Sequence, residues 1–74
     1  MKTFIDIFFS VDGEKATVIF EKLCDFGLKY HIGDHDFYYD WKRVATIIEE
    51  LEFIDNIQKI LNGSGAILKF SSLR

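Results

Sequence analysis

The sequence contains no proline and only one cysteine among its 74 residues. An intrachain disulfide is therefore excluded, and because Cys24 lies in an apolar, helical pattern, we interpret it as a small packed side chain rather than a reactive thiol. So few cysteines are typical of a reducing compartment, and we expect a cytoplasmic protein. A chain of this length forms one domain, residues 1–74, with a small core that a structural metal or oligomerisation would have to support.

The chain also lacks a long apolar run and an excess of basic residues. No stretch approaches the length of a membrane helix, and the apolar run after Lys2 is interrupted at Asp6 and Asp12, unlike a signal peptide. The formal net charge of −3 and the pI near 5.2 argue against a domain that grips phosphate backbones. No basic cluster is larger than Lys42-Arg43. We therefore expect neither a membrane nor a nucleic-acid partner.

The residues that are present are typical of a folded globular domain. Hydrophobic residues make up 49% of the chain and charged residues 28%, which argues against disorder. Residues 2–11 alternate as a strand does, and their odd positions, up to Val11, are apolar or β-branched and are predicted to face the core. The even positions include Phe4, Asp6 and Phe8 and are predicted to face outward.

The first helical pattern covers residues 14–26. Its apolar side chains recur at intervals of three and four: Ala16, Ile19, Phe20, Leu23 and Phe26. Asp12 is predicted to cap this helix at its start. Gly27 is predicted to end it in a Schellman motif that brings Leu28 against Leu23.

The second helical pattern covers residues 42–62 and permits two interpretations. Its apolar residues at helical intervals are Val44, Ile48, Leu51, Ile54, Ile57 and Leu61. As one helix, the segment would begin at an Asp40 cap and end at Gly63. Because residues 43–48 are rich in β-branched side chains, they could instead form a strand, with the helix beginning at about Glu49.

Three shorter segments complete the predicted sheet. Residues 28–32 and 36–41 are predicted to form a hairpin around a Gly33-Asp34 turn, and residues 66–70 a last strand. In that last strand the inward positions are Ala66, Leu68 and Phe70, and the outward positions are Ile67 and Lys69.

The order of elements is strand, helix, strand, strand, helix, strand under either interpretation. With right-handed crossovers, this order predicts a fold of the α+β class, a ferredoxin-like βαββαβ sandwich. Its four-stranded antiparallel sheet would carry both helices on one face. The other face would stay open.

The open face is the predicted contact surface. Its predicted interface residues are Phe4, Phe8, Tyr38 and Ile67. On the third strand, the register decides whether Tyr38 and Asp40 face outward, or the set Phe37, Tyr39 and Trp41. Because contiguous apolar patches on small domains mark interaction surfaces, we predict a homo-oligomer or a protein partner.

The same open face suits a single-stranded RNA binder of the RRM type, which stacks bases on sheet aromatics. The glycine-aromatic signature of such domains is missing here, and Asp6 would repel phosphates. We expect Asp6 to form a cross-strand ion pair with Lys69 instead. Nucleic acid is therefore the weaker alternative.

Residues 31–41, HIGDHDFYYDW, hold both histidines of the chain. The candidate metal ligands in this segment are His31, His35, Asp34 and Asp36. No cysteine or further histidine completes a ligand set, and the aspartates suit a turn that their side chains stabilise through the backbone. No nucleophile with a base and no phosphate loop is evident, so neither catalytic residues nor a cofactor are predicted.

The sequence therefore predicts a small non-catalytic interaction module that self-associates through the open face of its sheet. The alternative is a regulatory domain that binds a small molecule or a metal ion at the hairpin between His31 and Asp36.

Overall fold

The computed structural model of the protein describes residues 1–30 and 33–73. Its elements, in chain order, are β1 (Lys2–Phe8), α1 (Ala16–Phe26), β2 (Lys29–Tyr30), β3 (Phe37–Asp40), α2 (Ile47–Ile60) and β4 (Ile67–Leu73). The four strands form one open antiparallel sheet in the order β2-β3-β1-β4. The predicted α+β class and the predicted order of elements along the chain are confirmed.

The core lies between one face of the sheet and the two helices. Its buried apolar side chains come from β1, β3, both helices and the residues that follow each helix: Ile5, Ile7, Ile19, Leu23, Leu28, Phe37, Phe53, Ile57 and Leu61. The odd positions of β1 face this core, as predicted, at Thr3, Ile5 and Ile7. The predicted strand is too long, however, because β1 ends at Phe8 and Val11 is fully exposed.

Helix α1 begins later than predicted and without the predicted cap. Lys15 is its N-cap and makes no side-chain capping bond, whereas the Asp12 backbone N–H donates to the Ser10 hydroxyl within a turn. The turn is held from outside the helix, since the Glu14 N–H donates to the Ser64 carbonyl at 2.9 Å. The prediction of an Asp12 cap is therefore wrong, because this long-range contact directs the chain into the helix.

The end of α1 is the predicted Schellman motif. Gly27 has φ 115°, in the left-handed region that favours glycine. Its N–H donates to the Cys24 carbonyl at 3.0 Å, and the Leu28 N–H donates to the Leu23 carbonyl at 3.1 Å. Leu23 and Leu28 are both buried in the core. The local sequence thus determines how this helix ends.

Helix α2 begins at Ile47, near the start at about Glu49 given by the second interpretation, whereas the predicted start at an Asp40 cap is wrong. Thr46 caps the helix in a reciprocal capping box with Glu49. The predicted cap, Asp40, instead accepts a hydrogen bond from the Lys42 N–H at 2.9 Å, in a turn where Lys42 has φ 60°. Residues 41–46 therefore form neither a strand nor the first turns of the helix.

The buried face of α2 differs from the predicted one. Phe53 and Ile57 are buried within the helix, and Leu61 is buried just after it. Ile48 and Leu51, which the spacing assigns to the same face, are exposed. Phe53 is positioned by aromatic contacts with Phe26, Tyr39 and Trp41, at centroid distances of 5.6, 4.8 and 5.3 Å.

The strand registers decide which side chains of β3 and β4 face outward. Phe37 is buried and Tyr39 packs against the core, so Tyr38 belongs to the open face. On β4, Leu68 and Phe70 pack against the core, while Ile67 and Lys69 are exposed, as predicted.

Trp41 packs on the core side of the sheet. Its indole N–H donates to the Thr3 hydroxyl at 2.9 Å, and Thr3 shares a 2.7 Å hydrogen bond with the Ser72 hydroxyl. This short network connects β1, β4 and the residue after β3. Of the helices described, none is long and apolar enough to cross a membrane.

Candidate functional site

The open face of the sheet is built from the alternate positions of its strands. In β1 the outward residues alternate with the buried Thr3, Ile5 and Ile7, and the register places partners from β3 and β4 directly beside them. The cross-strand sets are Lys2 with Asp40 and Leu73, Phe4 with Tyr38 and Ser71, Asp6 with Lys69, and Phe8 with Ile67. Apolar, aromatic and charged groups thus alternate along this face.

Phe8 and Ile67 form the exposed apolar end of this face, here called the open-face patch. They are direct partners in the β1–β4 register, which places their side chains on the same face. Phe8 is 61% exposed and Ile67 is 68% exposed. Two large apolar side chains therefore lie together in solvent at the point where β1 ends and β4 begins.

Phe4, by contrast, is covered by the segment that precedes β3. The His35 imidazole stacks on the Phe4 ring with centroids 4.8 Å apart and 27° between the ring planes. His35 Nδ1 lies 3.1 and 3.2 Å from the two carboxylate oxygens of Asp6. Asp36 extends the contact, because its Oδ2 accepts a hydrogen bond from the Ile7 N–H at 2.9 Å. The face is thus covered at Phe4 and open at Phe8.

The partner of Asp6 differs from the predicted one. Lys69 lies opposite Asp6 in the register, as expected, but the carboxylate is hydrogen-bonded to His35. Both the Asp6 and His35 side chains are partly exposed. The arrangement attaches residues 33–36 to the sheet through a polar bond beside an aromatic stack.

Tyr38 is the fourth predicted interface residue, and it is half-buried. The Lys2 ammonium lies 5.0 Å from the centroid of its ring, within the range of a cation–π contact. The four predicted interface residues therefore differ in accessibility. Phe8 and Ile67 are exposed, whereas Phe4 and Tyr38 are partly covered.

The candidate metal ligands are only partly placed by the structure. His31 lies outside the described residues, so its proposed pairing with His35 stays a prediction. Asp36 and His35 make the contacts with β1 given above, and Asp34 is exposed. Across residues 1–30 and 33–73, no group of three or more histidine, cysteine, aspartate or glutamate side chains is arranged to hold a metal ion.

A second apolar surface, which the sequence analysis missed, lies between α2 and β4. A groove of about 300 Å³ is lined by Ile47, Leu51 and Ile54 of the helix and by Phe70 of the strand, with polar groups at its margins. Ile47 is 63% exposed and Leu51 is 52% exposed. The signal was present in the sequence, because α2 contains more apolar residues than one buried face accommodates.

A third apolar surface lies at the start of α1. Phe9, Phe20 and Tyr30 are exposed, and they line a cleft of about 290 Å³ together with Ile7, Asp36 and Phe37. Phe20 contacts the rings of Tyr30 and Phe37 at centroid distances of 5.6 Å each. The lining is aromatic, with one carboxylate that is already bonded to the sheet.

The clearest electrostatic feature lies at the start of α2. The Arg43 guanidinium forms a two-point ion pair with the Glu49 carboxylate. This hydrogen bond, followed by the Thr46 backbone bond, lowers the pKa of Glu49 to about 2. The same partner raises the pKa of Arg43. The pair secures the capping box, and Glu49 also borders a shallow cavity of about 230 Å³ with Trp41 and Phe53.

Comparison with known proteins adds no family to this description. No protein-family model matches the chain, and no significant match is found among curated proteins or solved structures.

Proposed function

We propose that the chain is a non-catalytic interaction module that associates with a second copy of itself through the open face of its sheet. The observation that carries this proposal is the pairing of Phe8 with Ile67, both largely exposed, on neighbouring strands. Transfer of one such side chain from water to an apolar contact contributes about 1.5–3 kcal/mol when burial is complete. In a self-complementary contact, both copies bury the same side chains, so this gain occurs twice.

The polar groups on the same face support a contact surface rather than a site of chemistry. Asp6 is occupied by His35, and Asp36 by the Ile7 N–H. These bonds stabilise the segment that covers Phe4 and leave Phe8 and Ile67 accessible. A partner is expected to contact Phe8 and Ile67 directly and to meet Phe4 and Tyr38 at the margin.

The finer assignment of the fold is part of the same proposal. The βαββαβ order, the sheet order β2-β3-β1-β4 and the shared core of both helices support a ferredoxin-like sandwich. Such a sandwich leaves one face of its sheet without helices, as the contact requires. We also propose a cytoplasmic location, on the basis of the single cysteine.

Sedimentation equilibrium of the wild type and of Phe8→Glu tests the contact. The wild type is expected to self-associate at micromolar concentrations, and Phe8→Glu is expected to lower the average mass, because it places a charge in the open-face contact. Val11→Glu is the matched control, since Val11 is fully exposed in the turn after β1 and the charge change is identical. A wild type that stays monomeric at high micromolar concentration, with native circular dichroism, would contradict the proposal.

A further inference from the structure

Strand β4 is a long outer edge of the sheet. All seven of its residues, Ile67–Leu73, pair with β1 on one side, and no described strand lies on the other side. Such an edge presents a row of backbone donors and acceptors to any strand that approaches it. The opposite edge, β2, has only two residues, and short strands are poor templates for pairing.

The edge of β4 lacks the features with which proteins usually block such pairing. Proline, several charges or a bulge would serve that purpose. The strand has one charged residue, Lys69, and no proline, and its register with β1 runs without interruption from Lys2 to Phe8. The strand is therefore suited to accept another strand.

The side of α2 next to this edge is apolar. Ile47 and Leu51 are largely exposed and line the groove whose other wall includes Phe70. Ile48 is exposed as well. A body that pairs with β4 would therefore also cover apolar helix surface. Backbone hydrogen bonding to β4 and burial of the apolar surface of α2 therefore both favour a partner at this edge of the sheet.

The sequence of β4 is compatible with itself in antiparallel pairing. With Phe70 on a two-fold axis, all seven residues find partners, and residues of one face meet residues of the same face. The pairs are Ile67 with the second copy's Leu73, Leu68 with its Ser72, Lys69 with its Ser71, and Phe70 with its Phe70. The exposed Ile67 and Leu73 thereby cover each other, since Leu73 is 71% exposed in the single chain.

Neighbouring registers that keep the faces matched are less favourable. A shift of the axis to Lys69 places the two lysines directly opposite, and like charges in that position are destabilising. A shift to Ser71 shortens the paired region and leaves Ile67 without an apolar partner. With the axis at Phe70, each Lys69 lies beside Asp6 of its own chain and opposite a serine.

We infer that β4 pairs antiparallel with β4 of a second copy, about a two-fold axis at Phe70, to form a continuous eight-stranded sheet. This contact shares Ile67 with the open-face patch, but it pairs the backbone edge of β4 and does not involve Phe8. The two copies place their α2 helices on the same side of the joined sheet. Ile47 and Leu51 of each copy then lie against the partner across the axis.

Disulfide trapping tests the register. Lys69→Cys and Ser71→Cys, each combined with Cys24→Ala, are mixed in equal amounts and equilibrated in a glutathione buffer. Directly opposite residues have Cβ atoms about 4.5–5.5 Å apart, near the span of a disulfide. Identical cysteines would be diagonal, at about 7–8 Å. The mixed disulfide is therefore expected in about tenfold excess over either homodisulfide, because only its geometry fits the bond.

The outcomes of this experiment separate the two contacts. Excess of the Lys69→Cys homodisulfide would place the axis at Lys69, and disulfides in statistical proportions would indicate random collision; either result overturns the inference.

Sedimentation of Ile47→Glu is the second measurement, since Ile47 is exposed and its replacement leaves the core intact. It is expected to weaken the edge dimer at least tenfold, whereas Phe8→Glu leaves the mixed disulfide unchanged. Loss of the mixed disulfide in Phe8→Glu would contradict the independence of the two contacts.

Discussion

The His35 imidazole lies on the Phe4 ring, with 4.8 Å between the centroids, and its Nδ1 is held by the Asp6 carboxylate. A short polar segment is thus packed on a sheet face that would otherwise expose an aromatic ring. Two consequences follow for this face. Phe4 is protected by a contact within the chain, and a partner finds its apolar area at the other end of β1.

His35→Ala is expected to lower the free energy of unfolding by about 1 kcal/mol, because it removes an aromatic stack worth about 0.5–1.5 kcal/mol. Urea unfolding measures this difference. Asp34→Ala is the control, since Asp34 is exposed in the same segment and should change the stability by less than about 0.5 kcal/mol. Equal effects of the two substitutions would show that the stack makes no specific contribution.

Gly13→Ala is expected to destabilise the fold by about 1–3 kcal/mol, the usual range for overpacking. A Cβ at residue 13 would lie 2.4 Å from the Ser64 carbonyl oxygen, a backbone atom that cannot move without displacing the turn before β4. The φ angle of Gly13 is not in the left-handed region, so the effect is steric. An unchanged thermal midpoint would mean that the turn at Gly13 can move away from the turn at Ser64 at little cost.

Thr46→Ala is expected to cost about 0.5–2 kcal/mol, because it removes the N-cap hydrogen bond of α2. Thr46→Ser retains the hydroxyl and should recover most of the stability. Asp40→Ala distinguishes the observed cap from the predicted one, since Asp40 bonds to Lys42 outside the helix. Far-UV circular dichroism with chemical unfolding measures all three variants. If α2 frays in Asp40→Ala but not in Thr46→Ala, the assignment of Thr46 as the N-cap is wrong.

The Arg43–Glu49 pair predicts a defined pH dependence. The pKa of Glu49 is lowered from 4.5 to about 2 in the folded chain, so the folded state favours the ionised carboxylate. The resulting stabilisation is present above pH 4.5 and is lost as the pH falls toward 2. This stabilisation is small, because both side chains are accessible to solvent and their attraction is screened by salt.

Glu49→Gln should therefore flatten the dependence of stability on pH between 4.5 and 2, the interval set by the two pKa values of Glu49. Arg43→Gln removes the largest cause of the lowered pKa and should flatten it in part, since the Thr46 N–H still donates to the Glu49 carboxylate. Urea unfolding at several pH values, with and without added salt, provides the measurement. The same slope in wild type and Glu49→Gln would exclude this carboxylate as its source.

Where structure depends on neighbours in the chain, the sequence was informative. Gly27 ends α1 because a left-handed residue is needed there, and the Leu23–Leu28 contact follows from the same motif. The inward positions of β1 follow from alternation alone. The start of α2 was also readable, since Thr46 and Glu49 have the spacing of a capping box. The β-branched residues and the competing Asp40 obscured that signal.

Where structure depends on distant contacts, the sequence was insufficient. Nothing local indicates that His35 covers Phe4, because the contact requires the segment just before β3 to lie over β1. The exposure of Leu51 follows from the rotation of α2 about its axis, which Phe53 determines by packing on aromatic rings of other segments. The edge position of β4 follows from the sheet order, and a pattern within one strand does not reveal it.

The pairing of β1 with β4 has a consequence for the time course of folding. Lys2 pairs with Leu73 and Phe8 with Ile67. One edge of β1 therefore stays unpaired until β4, which follows about 60 residues later, has been synthesised. Contacts of such long sequence separation slow folding, because a large loop must close before they form. A ribosome adds about 5–20 residues per second. We therefore expect the sheet to be completed only after β4 has emerged, with β1 exposing one edge to neighbouring nascent chains for seconds.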